Sequence, residues 1–257
     1  MPNKHAEEIA GYTLMDDVLM KPFFQGNLKA AQRVINAVLR RKDLVVEEII
    51  SQDEICNIYG RSIRMDALVK DTLGRYHNIE VQHLNSWASL HRARMNRSLL
   101  DAHLSEPNMD PNDMPDTYII FFVDGDVFEK GLPVYTIEQH IKENGEEVSD
   151  GTHIIYVNVR AKFPEGDELG ELVLDFICKD ADEMYDQEFA ERFKYLKGEG
   201  GEKEMGGTID MIEARGRAAG RSGVAQGMLR DKLPFEMVTK YTGLSEQELR
   251  KMQAEMK

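Results

Sequence analysis

Two carboxylates and one amide are the side chains of this sequence best suited to chemistry. Asp66 precedes a turn predicted at residues 72–75, and Glu80 and Gln82 follow it. Side chains alternate along a strand, so Glu80 and Gln82 share a face, and antiparallel pairing sets Asp66 roughly opposite Glu80. Carboxylates about 4.5–5.5 Å apart at Cβ repel each other unless a cation joins them or one is protonated. The pair predicts a site for a hard cation such as Mg²⁺, which prefers oxygen ligands.

A solvated acidic hairpin is the alternative explanation, because antiparallel strands commonly carry Asp and Glu on their exposed face. The neighbouring residues argue against it, since apolar side chains follow Asp66 and surround Glu80: Ala67, Leu68, Val69, Ile79 and Val81. Carboxylates within such core-like strands are costly to bury without a cation. We therefore expect a site here and not a solvated surface.

The acidic pair and its surroundings resemble the PD-(D/E)XK nuclease superfamily, and more closely its Rpn family of recombination-promoting nucleases and transposases. The shared pattern is an Asp followed by Glu-x-Gln on the next strand. Residues 17–24 resemble the opening helix of the family, and residues 92–101 and 116–121 resemble the helix and strand after the motif. Residues 151–158 are similar to a later strand in one branch. The resemblance covers most of residues 12–200.

The resemblance implies a role for each matched position. Asp66 and Glu80 would hold Mg²⁺, with Mn²⁺ as the alternative ion, and the main-chain carbonyl of Val81 would be a third oxygen ligand. The ion would lower the pKa of a bound water and offset the charge that develops on a DNA phosphate. Gln82 stands where the superfamily usually has Lys, as in the Rpn form; it can orient water or donate to phosphate but carries no charge. Asp17 is a further candidate, with a helix N-terminal acid as the alternative.

The charge of the chain bears on DNA as a partner. The formal net charge is −14, which argues against indiscriminate DNA binding, since phosphates are neutralised by Lys and Arg. Basic residues nevertheless gather beside the acidic pair: Arg64 flanks the first strand, and Arg92 and Arg94 belong to the helix after it. We expect these three to contact a DNA backbone, the alternative being a solvated basic face.

The predicted elements follow the order helix, three strands, helix, strand, which is an α/β pattern. With the motif, it implies a PD-(D/E)XK restriction-endonuclease-like mixed sheet flanked by helices, spanning residues 12–197. Helices are predicted near 14–40, 87–105 and 167–197, and strands near 54–59, 63–70, 77–84, 118–123, 134–139 and 154–159.

Residues 198–257 are predicted to form a helical C-terminal extension. Glycines recur at 216, 220, 223 and 227 and weaken a lone helix. The extension is therefore expected to need a partner, and a homodimer through these helices is one interpretation; an exposed, partly frayed helix is the other. A helix that ends at Gly243 and a second one capped by Ser245 predict a small helix-turn-helix-like tail. Its second helix has a charge balance that favours packing over reading DNA.

Composition excludes several classes of protein. The sequence is 42% hydrophobic and 30% charged, as in a globular protein. It has no apolar run long enough to cross a membrane, and two widely separated cysteines, Cys56 and Cys178, predict reduced thiols in the cytoplasm. Neither zinc-ligand spacing nor a phosphate-binding Gly-x-x-x-x-Gly-Lys-Ser/Thr loop occurs.

The sequence therefore favours a Mg²⁺-dependent endonuclease that hydrolyses DNA phosphodiester bonds. The competing hypothesis is a nuclease scaffold with weak or no catalysis that acts as a DNA-binding or protein-interaction module. Gln82 and the acidic balance favour the scaffold, whereas the apolar setting of Asp66 and Glu80 favours a working site.

Overall fold

A computed structural model of the chain describes residues 6–50, 65–83, 88–198, 201, 205, 216–217 and 220–255. The chain divides into two compact units, Met1–Glu202 and Lys203–Lys257. The division falls at the end of the glycine-rich segment 198–202. Each unit is described separately below.

A six-stranded mixed sheet forms the centre of the first unit. The strands of this unit are β1 (Val46–Ile50), β2 (Ala67–Asp71), β3 (Tyr76–Gln82), β4 (Thr117–Val123), β5 (Val134–Ile137), β6 (Gln139–His140), β7 (Glu147–Val148) and β8 (Thr152–Asn158). The order in the sheet is β1-β2-β3-β4-β8-β5, and a separate pair, β6-β7, lies in the chain between β5 and β8. The pairs β3–β4 and β4–β8 are parallel and the other pairs are antiparallel.

Helices cover both faces of this sheet. The helices are α1 (Ala6–Gly11), α2 (Asp17–Phe24), α3 (Leu28–Val38), α4 (Leu90–Leu104), α5 (Glu168–Ile177) and α6 (Gln187–Lys197). On one face, Ala93 and Leu100 of α4 pack in a buried cluster with Phe121 of β4. On the other face, the ring of Phe122 stacks on the ring of Phe176 of α5, with 4.4 Å between the ring centroids. Parallel strands are usually buried on both faces, as here. The prediction of an α/β fold with a mixed sheet flanked by helices is confirmed.

The turn between β2 and β3 is held by a buried carboxylate. Asp71 accepts hydrogen bonds from the N–H groups of Leu73 and Arg75 at 2.9 and 3.1 Å, and from Arg75 Nε at 2.8 Å. Nε2 of the buried His77 lies 2.9 Å from the same carboxylate. Gly74 has a φ of +78°, so the predicted turn residue has the predicted conformation. This turn fixes the register of the two strands that it joins.

Three predictions about single elements need correction or lie outside the described residues. The single helix predicted at 14–40 is two helices, α2 and α3, because Gly26 has a φ of +69° and Asn27 caps the second helix through Ala30 N–H. The predicted helix at 167–197 is likewise two helices, α5 and α6. Strand β1 was not predicted, and the predicted strand at 54–59 lies outside the described residues.

The second unit includes the helices α7 (residues 220–230), α8 (Phe235–Thr242) and α9 (Glu246–Glu255). Gly243 ends α8 in the left-handed conformation. Ser245 donates its N–H to the Glu248 carboxylate at 2.7 Å, and Glu248 N–H returns a bond to Ser245 Oγ at 3.3 Å, which is the predicted capping box. The three helices share a small core of Ala225, Leu229, Val238 and Leu249.

In the described stretches of the chain, every helix is too short or too polar to cross a membrane.

Candidate functional site

Asp66 and Glu80 are brought together at one end of the β2–β3 hairpin. Ala67 of β2 pairs with Ile79 of β3. Asp66 lies in a bend directly before β2, so the same register places it opposite Glu80. Asp66 Oδ2 accepts a hydrogen bond from Val81 N–H at 3.1 Å. Glu80 is fully buried and Asp66 is 9% exposed. Asp66, Glu80 and Val81 therefore occupy one small buried region.

Burial sets the electrostatics of this pair. Burial raises the pKa of Asp66 to about 7, and the negative charge of Asp17 adds to the rise. Burial also raises the pKa of Glu80 to about 8, with the charge of Asp66 as the second cause. Near neutral pH the pair thus retains protons that a divalent cation would displace, since a metal ligand has to be ionised.

Arg92 reaches the site from α4. Its guanidinium nitrogen lies 3.5 Å from Glu80 Oε2, and Ser89 caps the start of the helix by accepting from Arg92 N–H at 3.3 Å. Arg94, two residues further, is exposed. Both residues were predicted to contact a DNA backbone, but their surroundings differ. Arg92 faces a carboxylate of the site, whereas Arg94 faces solvent. Arg64 lies outside the described residues.

Gln82 ends β3 on the same face as Glu80 and is half-buried. Its main-chain carbonyl accepts from Asp124 N–H at 2.9 Å, which joins the ends of β3 and β4. His83 follows it, and the His83 ring nitrogen Nε2 lies 3.1 Å from the carboxylate of Asp16 at the start of α2. This contact holds the start of α2 beside the end of β3.

Helix α2 supplies two charges that act on Asp66. Asp17 raises the pKa of Asp66 and Lys21 lowers it, and the two side chains are one helical turn apart, so they share a face of α2. Asp17 was a candidate from the sequence, whereas Lys21 and His83 were not. The spacing of Asp17 and Lys21 was the available signal, although it does not say which strand the helix covers.

Comparison of the chain with protein families, with curated proteins and with solved structures finds no match in any of the three.

The donor atoms of the site suit a hard cation. Both side chains are carboxylates, which are preferred ligands of Mg²⁺ and Mn²⁺. Glu80 Oε2 is buried and accepts no hydrogen bond from the described residues. Among those residues no group of three or more His, Cys, Asp or Glu side chains is arranged as a metal site. An ion here would therefore take two carboxylates, main-chain oxygen and water, which is common for Mg²⁺.

Proposed function

We propose that this chain is a metal-dependent DNA endonuclease of the PD-(D/E)XK type, related to the Rpn nucleases, that hydrolyses phosphodiester bonds. The observation that carries the proposal is the burial of Asp66 and Glu80 beside each other, with both pKa values raised. A bound Mg²⁺ or Mn²⁺ ion would stabilise both ionised carboxylates. The mixed sheet flanked by helices also supports the proposal, because it agrees with the fold class that the resemblance implies.

Each residue of the site has a role in this proposal. Asp66, Glu80 and the Val81 carbonyl hold the ion, which would supply an activated water and offset phosphate charge. Gln82, on the face of Glu80, orients the water or a phosphate oxygen. Lys21 contributes the positive charge that Gln82 lacks, from the face of α2 that acts on Asp66.

DNA would meet the protein at the exposed side of α4. Arg94 is exposed there, and it follows Arg92, which touches Glu80. Because residues two apart on a helix do not share a face, Arg94 would pair with a backbone phosphate farther along the DNA than the phosphate at the metal. Local positive charge is sufficient for this contact even though the chain as a whole is acidic.

A scaffold without useful catalysis is the second candidate, and one observation favours it. Each carboxylate already has a protein partner, because Arg92 lies 3.5 Å from Glu80 and Val81 N–H donates to Asp66. With uncharged Gln82 in place of Lys, these contacts suit a stable site that no longer cleaves. Such a chain would act as a DNA-binding or protein-interaction module.

Plasmid cleavage distinguishes the two candidates. Purified protein is incubated with supercoiled DNA in Mg²⁺, in Mn²⁺ and in chelator, beside the isosteric variants Asp66→Asn and Glu80→Gln. The control is Asp43→Asn, which changes an exposed carboxylate that pairs with Arg41. We expect cleavage that requires metal, persists in the control and disappears in both site variants.

The opposite results are equally informative. Wild-type protein that is inert on supercoiled, linear and single-stranded DNA, but shifts DNA in a gel, would support the scaffold. Cleavage that survives both site variants would show that the active site lies elsewhere.

A further inference from the structure

Two buried amides lie behind Glu80. Asn78 precedes Glu80 by two positions on β3, so both side chains lie on the same face of the strand. Asn96 belongs to the buried stripe of α4, between Ala93 and Leu100. Asn78, Glu80 and Asn96 are all 0% exposed. Polar side chains this deeply buried normally have hydrogen-bond partners.

Contacts along α4 place Asn96 level with Asn78. Arg92 touches Glu80 near the end of β3, whereas Asp101, later in α4, accepts from Thr117 Oγ1 at the start of β4. The helix therefore runs back along the sheet. Four helical residues from Arg92 to Asn96 advance about 6 Å, and two strand residues from Glu80 to Asn78 advance about 6.6 Å.

The hydrogen bonds of this group are incomplete. Asn78 Nδ2 donates to Glu80 Oε1 at 3.2 Å. Within the described part of the chain, Asn78 Oδ1 and both amide atoms of Asn96 have no hydrogen-bond partner. Buried polar atoms in this state are commonly joined by an ordered water that makes about three hydrogen bonds. An Asn in an apolar helix stripe, level with a second buried amide, fits that arrangement.

We propose that Asn78 and Asn96, the amide pair, are positioning residues for Glu80. Asn78 holds the Glu80 carboxylate directly, and a bound water joins Asn96 to Asn78. The inference rests on the proposed function, because its consequence is a Glu80 oxygen held in a fixed direction for a metal ion. Residues that orient a metal ligand typically change metal affinity about 10–100-fold when they are replaced.

Calorimetric titration of the full chain with Mn²⁺ tests this role. The variants are Asn78→Leu and Asn96→Leu, which remove the amides at similar volume. The matched control is Tyr156→Phe, because Tyr156 is also buried on the α4 side of the sheet and its hydroxyl has no hydrogen-bond partner in the described chain. We expect about 10-fold weaker Mn²⁺ binding in both Leu variants, unchanged binding in the control, and a metal-free melting temperature in Asn96→Leu that is unchanged or higher.

A second measurement needs no metal and keeps the inference testable if a variant folds poorly. Side-chain amide signals of Asn78 and Asn96 are followed by NMR in wild-type protein, in Glu80→Gln and in Tyr156→Phe. We expect Glu80→Gln to shift both amide signals and Tyr156→Phe to shift neither.

The outcomes separate the two proposals. The positioning role is overturned if the Mn²⁺ affinity is unchanged in both Leu variants, or if Glu80→Gln does not shift the Asn96 amide signal. Either result leaves the nuclease proposal intact. Wild-type protein that binds no Mn²⁺ overturns the metal site itself, and with it the purpose of the amide pair, even where the NMR shifts show that the contacts exist.

Discussion

Glu80 is a carboxyl group whose ionisation opposes folding. Its pKa is raised to about 8 by burial and by Asp66, whereas the pKa of a Glu in an unfolded chain is about 4.3. A pKa raised on folding contributes stability that is complete below the unfolded value and is lost as the pH rises through the folded value. The metal-free protein therefore loses stability between about pH 4 and pH 8 through this residue.

Glu80→Gln removes the ionisable group, so we expect it to raise the melting temperature of the metal-free protein at pH 8, by about 2–4 °C for each kcal/mol of stability regained, and to change it little at pH 5. Melting in chelator at both pH values measures the effect. Glu138→Gln, at an exposed position, is the control and should show no difference. An effect of Glu80→Gln that is the same at pH 5 and pH 8 would contradict the raised pKa.

Lys21 is expected to matter for cleavage more than for folding. Lys21→Met removes the charge that acts on Asp66, and loss of one group that stabilises transition-state charge commonly costs on the order of 100-fold in rate. The measurement is single-turnover plasmid cleavage with saturating Mg²⁺. Lys29→Met, at a side chain that is 81% exposed, should cleave like wild-type protein. Equal rates in the two variants would leave Lys21 without a catalytic role.

At the scale of elements, the β2–β3 hairpin carries carboxylates with opposite responses to pH. Burial alone would raise the pKa of Asp71, but hydrogen bonds from His77 and Arg75 bring it below its usual value. A lowered pKa contributes stability that is present above the unfolded value and is lost as the pH falls. The turn end of the hairpin thus loses stability as the pH falls, whereas the Asp66–Glu80 end loses stability as the pH rises toward about 8.

Asp71→Asn is expected to destabilise the first unit by about 3 kcal/mol, because it leaves the largely buried Arg75 guanidinium without its charge partner. Urea unfolding at pH 7 gives the free energy of unfolding. The same substitution at Asp43, in a surface pair, should cost about 0–1 kcal/mol. Similar costs at the two positions would mean that Asp71 does not hold the turn.

Part of this architecture could be predicted from the sequence, and the part that could was local. Alternation and Gly74 predicted the hairpin and its register, and the spacing of Ser245 and Glu248 predicted the capping box. The break at Gly26 was missed because hydrophobic spacing continues on both sides of it. The contact of Arg92 with Glu80 could not be predicted, since it depends on how a helix docks on a strand.

The whole molecule has two units, and the second carries exposed apolar side chains with which the predicted homodimer can be tested. Met237 and Tyr241 are one turn apart on α8 and are 43% and 67% exposed. If the C-terminal helices form the predicted homodimer, light scattering will give twice the chain mass of 29.4 kDa. Met237→Glu with Tyr241→Glu should then give monomer, because charge is disfavoured in the core of an interface. Monomer in the wild-type protein would contradict the homodimer.

The topology of the first unit has a consequence for how the site matures. Hairpin β2–β3 closes through contacts near in sequence, but β3 pairs in parallel with β4 only after α4 has crossed the sheet. Long-range parallel pairing is slow compared with hairpin closure. Before β4 pairs with β3, we expect Asp66 and Glu80 to be exposed to water and their pKa values to lie nearer to those of an unfolded chain. If the chain is the nuclease proposed above, we expect a nascent chain to cleave no DNA until β4 has paired with β3.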